Sequence, residues 1–285
     1  MMKRGWVGSG GGLRYFWHLG ALQYQAEHGH DFDYFVGTSA GALAAVTAAG
    51  AKRRWGSLWG GMAQASLAAR AIKHPDNIVA GPWFRPWGYV QALRGRGMYR
   101  LTPLAQRLVN LIGLDPDEVL PDAAVTITNL TDGRLLVLPA SITRAVISAT
   151  VPVLSPGQGP EKDLVDGGVR MFAPLKPAIE AGCDDITVQV TRPQEMPPSR
   201  RLGDGLAILS RTLDLMSHQM MVEDVQYCEL VNARVRAGLA PDKRLVNLHL
   251  IYADDDLPRA TPDQFNHQTV LDLLNKGFRD AQAQR

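Results

Sequence analysis

Hydrophobic and polar positions in the first 50 residues switch between two periods. Apolar Trp6-Val7 runs into the glycine-rich stretch Gly8-Ser-Gly-Gly-Gly12. Leu13, Phe16, Gly20 and Tyr24 then recur at helical spacing, which predicts a short strand, a loop and a helix over about 13–27. A second strand, Asp33-Tyr-Phe-Val36, meets Gly37-Thr-Ser-Ala-Gly41 and an alanine-rich helix. Strand, helix, strand, helix at this spacing predicts a central, mostly parallel sheet in an α/β fold. Both glycine turns then fall at the carboxyl edge of the strands, where such sheets bind ligands.

From about Trp55 to Arg107 no period is sustained and Gly, Pro, Trp and Arg are abundant, so residues 52–110 are expected to form a cap or lid of helices and loops. Val125-Thr-Ile-Thr128, the turn Thr131-Asp-Gly133 and Leu135-Leu-Val-Leu138 predict a hairpin. Leu164-Val165 leads into Asp166-Gly-Gly168, a helix ends near Gly182, and Ile186–Val190 reads as a further strand. Leu202, Leu206, Leu209, Leu213, Met216 and Met220 mark one long amphipathic helix ending near Gly238. Its stripe is expected to pack on the chain's own core in preference to a seam between two copies. A strand from Leu245 to Tyr252 and a helix from Phe265 to Gln282 follow. With no repeat or linker in view, residues 1–285 read as a single domain.

Composition narrows the class. A chain of 285 residues, 46% apolar and 20% charged, buries a sizeable core and is not disordered. Cys183 and Cys228 suit neither a disulfide framework nor a metal cluster, so no metal or cofactor is expected and a reducing, cytoplasmic setting is the default. Lys3 and Arg4 are followed by glycines instead of the apolar stretch of a Sec-type signal peptide. The uncharged run Ser39 to Ala51 is too short for a transmembrane helix.

The net charge of +2 conceals a basic block, because residues 51–110 carry ten Lys/Arg against one acid. An anionic partner is expected there. Trp55, Trp59, Trp83 and Trp87 lie in the same block, and rings beside cations suit the headgroup boundary of an anionic bilayer. Arg53, Arg54, Trp55, Trp59, Trp83 and Trp87 are therefore the candidate peripheral membrane contacts, with a cap core and solvated arginines as the other reading. The chain has no base-reading module, so nucleic acid is not an expected partner.

Three segments carry chemistry. Gly37-Thr-Ser-Ala-Gly41, between a strand and a helix, has the form of a nucleophile elbow: a sharp turn exposes Ser39, and Gly37 and Gly41 prevent clashes. Gly10-Gly-Gly-Leu-Arg14 also joins a strand to a helix and can aim several N–H groups at one point, suiting a phosphate or an oxyanion. Leu13 and Tyr15 occupy the third-glycine positions of a dinucleotide fingerprint, and no Gly-Lys-Ser/Thr follows, which disfavours the phosphate. Asp166-Gly-Gly168 is either a plain turn or a site for a base. As a base, Asp166 needs a partly dehydrated setting to raise its basicity.

Together these segments resemble the patatin-like phospholipase family. Gly10 to Leu22 is similar to its oxyanion segment and following helix, Gly37 to Gly41 to its nucleophile motif, and Asp166-Gly-Gly168 to its aspartate motif. Ile147-Ser-Ala-Thr-Val-Pro152, Pro174 to Val190 and Asn275 to Ala281 extend the likeness. Tyr15 stands where the family usually has glycine, and Met171 and Phe172 stand where it often has asparagines.

The resemblance implies a three-layer α/β/α fold and a lipid acyl hydrolase of phospholipase A or lysophospholipase type. In that reading Ser39 is the nucleophile, Asp166 the general base, and the N–H groups of Gly10, Gly11 and Gly12 the oxyanion hole, with Arg14 supporting the loop. A triad would instead draw on His218, His249 or His267, while His18 is expected to pack on the first helix. The substrate would be a phospholipid or lysophospholipid, met by a cytoplasmic protein in peripheral contact with membranes. A cap leaves room for an activator that opens it, and no motif specifies a homodimer. A soluble short-chain esterase or thioesterase and a catalytically silent lipid-binding module are the alternatives.

Overall fold

A computed structural model describes residues 2–77, 101–149, 163–198, 205–254, 257 and 266–284. Strand β1 (Arg4–Gly8) passes through a 3-10 turn at Gly12–Arg14 into helix α1 (Tyr15–Glu27), and β2 (Tyr34–Gly37) passes into α2 (Ala40–Trp55). Helices α3 (Leu58–Arg70) and α4 (Thr102–Ile112), the hairpin β3 (Leu120–Asn129) and β4 (Leu135–Ala140), and α5 (Ile142–Ser148) come next. The chain continues through β5 (Leu164–Asp166), α6 (Leu175–Glu180), β6 (Asp185–Val190), α7 (Gly205–Arg236), β7 (Asn247–Tyr252) and α8 (His267–Ala283).

The sheet runs β4-β3-β2-β1-β6-β7, and β5 also pairs with β3. Strands β3, β2, β1, β6 and β7 are parallel; β4 and β5 run against β3. Side chains alternate between two buried faces, which explains the near-continuous apolar runs of the central strands. Trp6, Phe35 and Ile127 join the core under α1, α2, α3, α4, α5 and α8, whereas Val7, Val36, Ala124 and Val188 face α6 and α7. Two helical layers thus enclose a mostly parallel sheet. Among the described residues no helix is long and apolar enough to cross a membrane.

Two stretches differ from the sequence expectation. Helices α3 and α4, drawn from the expected cap, pack into the main core through Leu58, Met62, Ala65 and Ala69 and through Leu104, Leu108 and Ile112. Gly61 lies against Ala51 and Gly50 against Ile112, so much of this contact is made by residues too small to mark a hydrophobic period. Residues 78–100, with Trp83 and Trp87, lie outside the described residues.

Among the described side chains of α7 the buried positions are Met221, Val225, Cys228 and Asn232, while Met216, expected on the core stripe, is 59% exposed; Leu202 and the side chains of Leu206, Leu209 and Leu213 lie outside what the structure describes. The first half of α7 meets the segment after β6 through polar groups instead: Arg211 Nη2 donates to the Pro197 carbonyl, Asp214 pairs with Arg192, and His218 faces the Gln194 carbonyl.

Candidate active site

Strand β2 ends at Gly37, and the chain turns through Thr38 and Ser39 into α2. Ser39 has φ 55° and ψ −119°, and it is the one non-glycine residue with positive φ among the described residues. Such a conformation costs on the order of 1–3 kcal/mol and persists only where its surroundings impose it. The flanking glycines impose it here. A Cβ on Gly37 would lie 2.0 Å from the Gly41 carbonyl oxygen, and one on Gly41 would lie 2.1 Å from the Gly8 carbonyl oxygen. Hydrogen bonds fix the turn further: the Thr38 N–H donates to the Gly8 carbonyl at 3.1 Å, the Gly41 N–H to the Ser9 carbonyl at 3.1 Å, and the Ser39 N–H to Ser148 Oγ at 3.0 Å. Thr38 Oγ1 sits 2.6 Å from Thr126 Oγ1, tying the turn to β3.

Sheet register brings Asp166 to this turn. Strand β3 outruns β2: Gly37 pairs with Val125, and two residues further along Ile127 pairs with Asp166. Strand β5 thus takes the place beside β3 that β2 vacates at the elbow. The Asp166 carboxylate lies within hydrogen-bonding reach of the Ser39 hydroxyl and accepts the Gly168 N–H at Oδ1, 2.7 Å away. It is 8% exposed. Burial pushes its pKa up to about 6, against the hydrogen bonds from Ser39 and Gly168, which favour the ionised form.

The glycine loop closes the third side. The Ser9 N–H donates to the Gln189 carbonyl at 3.0 Å and the Gly10 N–H to the Phe172 carbonyl at 2.9 Å. The Gly10 carbonyl accepts the Thr191 hydroxyl and the Ser9 hydroxyl, the latter at 3.1 Å, and the Gly11 carbonyl accepts the Arg14 N–H at 3.2 Å. Of the three amides expected to face an oxyanion, that of Gly10 is therefore already engaged. Among the described residues no partner is found for the Gly11 and Gly12 N–H groups. Arg14 reaches from the loop to donate to the Thr191 carbonyl, and burial followed by the charge of Arg192 lowers its pKa to about 10, leaving it cationic at neutral pH. Phe172 lies against Gly10, with Arg192 over its ring at 5.6 Å. Tyr15 is buried in the core, its hydroxyl 3.0 Å from Thr47 Oγ1 on α2.

His18 is buried beneath the loop, with Nε2 2.9 Å from the Ser9 carbonyl and Nδ1 3.0 Å from Gln189 Oε1. Burial lowers its pKa to about 4, so it is neutral at pH 7. A neutral ring has one N–H; on Nε2 it donates to the Ser9 carbonyl and supports the loop backbone, leaving Nδ1 as an acceptor towards the Gln189 side-chain amide. Because the native pKa lies below the ordinary 6.5, His18 contributes stability above pH 6.5 that is lost as pH falls through about 4. The stability difference between wild type and His18→Gln, followed by urea unfolding, is expected to shrink across that interval.

The histidines of a conventional triad are employed elsewhere. His218 faces the Gln194 carbonyl, His249 pairs with Asp185 at 2.8 Å, and His267 Nδ1 lies 2.7 Å from the Ile72 carbonyl. Of the candidate membrane contacts, Arg54 stands over the Trp55 ring at 5.5 Å, and Trp55 and Trp59 are 44% and 62% exposed. Trp59 stands on α3, while helix α2, with Ser39 at its N-cap, carries Arg53, Arg54 and Trp55 up to about 24 Å away, at 1.5 Å per residue, to the opposite edge of the sheet. There Arg53 pairs with Glu118, just before β3. Among the described residues no group of His, Cys, Asp and Glu suited to a metal ion is found.

Sequence reasoning missed Thr126, Ser148, Gln189 and Thr191, all buried around the turn and the loop. Ser148 and Gln189 stood in stretches similar to the family's, while Thr126 and Thr191 are single polar residues in or just after strands and form no motif.

A family model described as patatin-like phospholipase matches residues 7–179. No curated protein matches the chain. Among solved structures, VipD from Legionella pneumophila aligns over 100% of this chain and 67% of its own, with a TM-score of 0.38 and 13% sequence identity.

Proposed function

Because the chain belongs to the patatin-like phospholipase family, we propose that it is a serine acyl hydrolase that cleaves the ester bonds of glycerophospholipids or lysophospholipids. The family acts on lipid esters in general; the mechanism and substrate are the proposal. The observation that carries it is a buried Asp166, with its pKa raised to about 6, in reach of a Ser39 hydroxyl held at φ 55°.

Ser39 Oγ attacks the ester carbonyl while Asp166 accepts its proton, a transfer favoured by a base whose pKa lies near the working pH. The tetrahedral oxyanion is held by the Gly11 and Gly12 N–H groups, each such donor being worth on the order of 100-fold in rate. Collapse breaks the ester C–O bond, and the departing alkoxide takes the proton from Asp166, leaving an acyl group on Ser39. Asp166 then takes a proton from water, whose oxygen attacks the acyl-enzyme. The second collapse returns the proton to Ser39 and releases the fatty acid. Two groups thus serve both half-reactions, and no histidine takes part.

Fatty-acid release from mixed phosphatidylcholine and phosphatidylglycerol vesicles tests this reading. Wild type is expected to release fatty acid and Ser39→Ala to fall by about 10⁴-fold or more. Hydrolysis of p-nitrophenyl butyrate with vesicles untouched would favour a short-chain esterase.

A further inference from the structure

We infer that Thr191 is a positioning residue for the proposed reaction: by holding the Gly10 carbonyl, its hydroxyl aims the Gly11 N–H at the oxyanion. This rests on the hydrolase reading above.

Thr191 is the residue immediately after β6 and is completely buried. Its hydroxyl donates to the Gly10 carbonyl, its N–H donates to Ser9 Oγ at 2.9 Å, and its carbonyl accepts from Arg14. A Cβ on Gly11 would lie 2.5 Å from Thr191 Oγ1, so the loop is pressed directly onto this side chain. One residue therefore contacts Ser9, Gly10, Gly11 and Arg14.

The consequence follows from peptide geometry. In a trans peptide the carbonyl of one residue and the N–H of the next point in opposite directions. No cis peptide bond occurs among the described residues. Drawing the Gly10 carbonyl towards Thr191 therefore turns the Gly11 N–H away from Thr191. The peptides on either side are fixed as well: the Gly10 N–H is bound to Phe172, and the Gly11 carbonyl takes the Arg14 N–H. A consecutive glycine pair has no side chains to hold its peptide plane, so without an anchor the Gly10–Gly11 peptide can flip and withdraw the donor. Ser9 Oγ also reaches the Gly10 carbonyl at 3.1 Å, so loss of the Thr191 hydroxyl should weaken the alignment without abolishing it.

The test compares Thr191→Val, which keeps the shape and removes the hydroxyl, with Thr191→Ser, which keeps the hydroxyl. Both are assayed on p-nitrophenyl butyrate and phospholipid vesicles, with urea unfolding to confirm that each is folded. Thr191→Val is expected to lower kcat roughly 10- to 100-fold with KM within twofold, because the donor acts on charge that develops only in the transition state. Thr191→Ser is expected to stay within threefold of wild type. A folded Thr191→Val with wild-type kcat, or an equal loss in Thr191→Ser, overturns the inference while leaving the hydrolase reading intact. If Thr191→Val fails to fold, Thr191→Ser together with Ser9→Ala decides: Thr191→Ser within threefold of wild type and Ser9→Ala within tenfold are expected, and a kcat loss beyond tenfold in Ser9→Ala assigns the anchor to Ser9 and overturns the inference. A wild type that turns over neither substrate overturns both.

Discussion

Replacing Asp166 with Asn is expected to lower kcat/KM by about 10³- to 10⁴-fold and to make the folded protein more stable at pH 8. The two effects share a cause. Burial raises the Asp166 pKa from 3.8 to about 6, so the native state holds this proton more tightly than the unfolded chain does. The stability this contributes is complete below about pH 4 and is lost as pH rises through 6. At about 1.4 kcal/mol per pH unit, the ionised carboxylate costs the native state on the order of 3 kcal/mol at pH 8. Asn keeps the shape and an oxygen to accept the Gly168 N–H but carries no charge. Urea unfolding should therefore show Asp166→Asn ahead of wild type at pH 8 and level with it at pH 4. The same proton governs activity: wild-type kcat/KM should rise with pH to a plateau, with its midpoint near 6.

Gly41→Ala carries the second large effect. The added methyl would meet the Gly8 carbonyl oxygen at 2.1 Å and its carbon at 2.3 Å, and Gly8 ends the central strand β1. Backbone lies on both sides of the contact, so no rotamer change relieves it. Pushing α2 off β1 is expected to cost about 3 kcal/mol of stability, read by urea unfolding. It should also reduce kcat more than about 100-fold, since a displacement of 1 Å at the nucleophile loses the aligned attack. Retained activity in a stable variant would show that the elbow does not depend on this close approach.

Local chemistry made much of the fold legible in the sequence. Strands, glycine turns and helices over the first 50 residues follow from period and turn residues, and Gly-Thr-Ser-Ala-Gly marked the elbow because a strained turn needs glycine on both sides. What pairing decides was less visible. Nothing in Leu164-Val-Asp166 says that β5 takes up the edge of β3 beyond β2, the register that sets Asp166 beside Ser39. The engagement of the Gly10 amide with Phe172, and Thr191 under the loop, likewise depend on which strand ends meet. The Trp–Arg block is visible as composition, but only the length and direction of α2 show how far Arg53, Arg54 and Trp55 stand from Ser39. Helix α3 was hidden by its Ala and Gly contacts, and the exposure of Met216 on α7 by its place in an apolar stripe.

The most direct test of the Ser39–Asp166 assignment is labelling by a fluorophosphonate probe, read by intact mass on wild type, Ser39→Ala and Asp166→Asn. One adduct is expected on wild type, none on Ser39→Ala, and a much slower reaction on Asp166→Asn, with the wild-type rate rising through pH 6. Equal labelling of Ser39→Ala, or a wild-type rate unchanged by Asp166→Asn, would contradict the assignment.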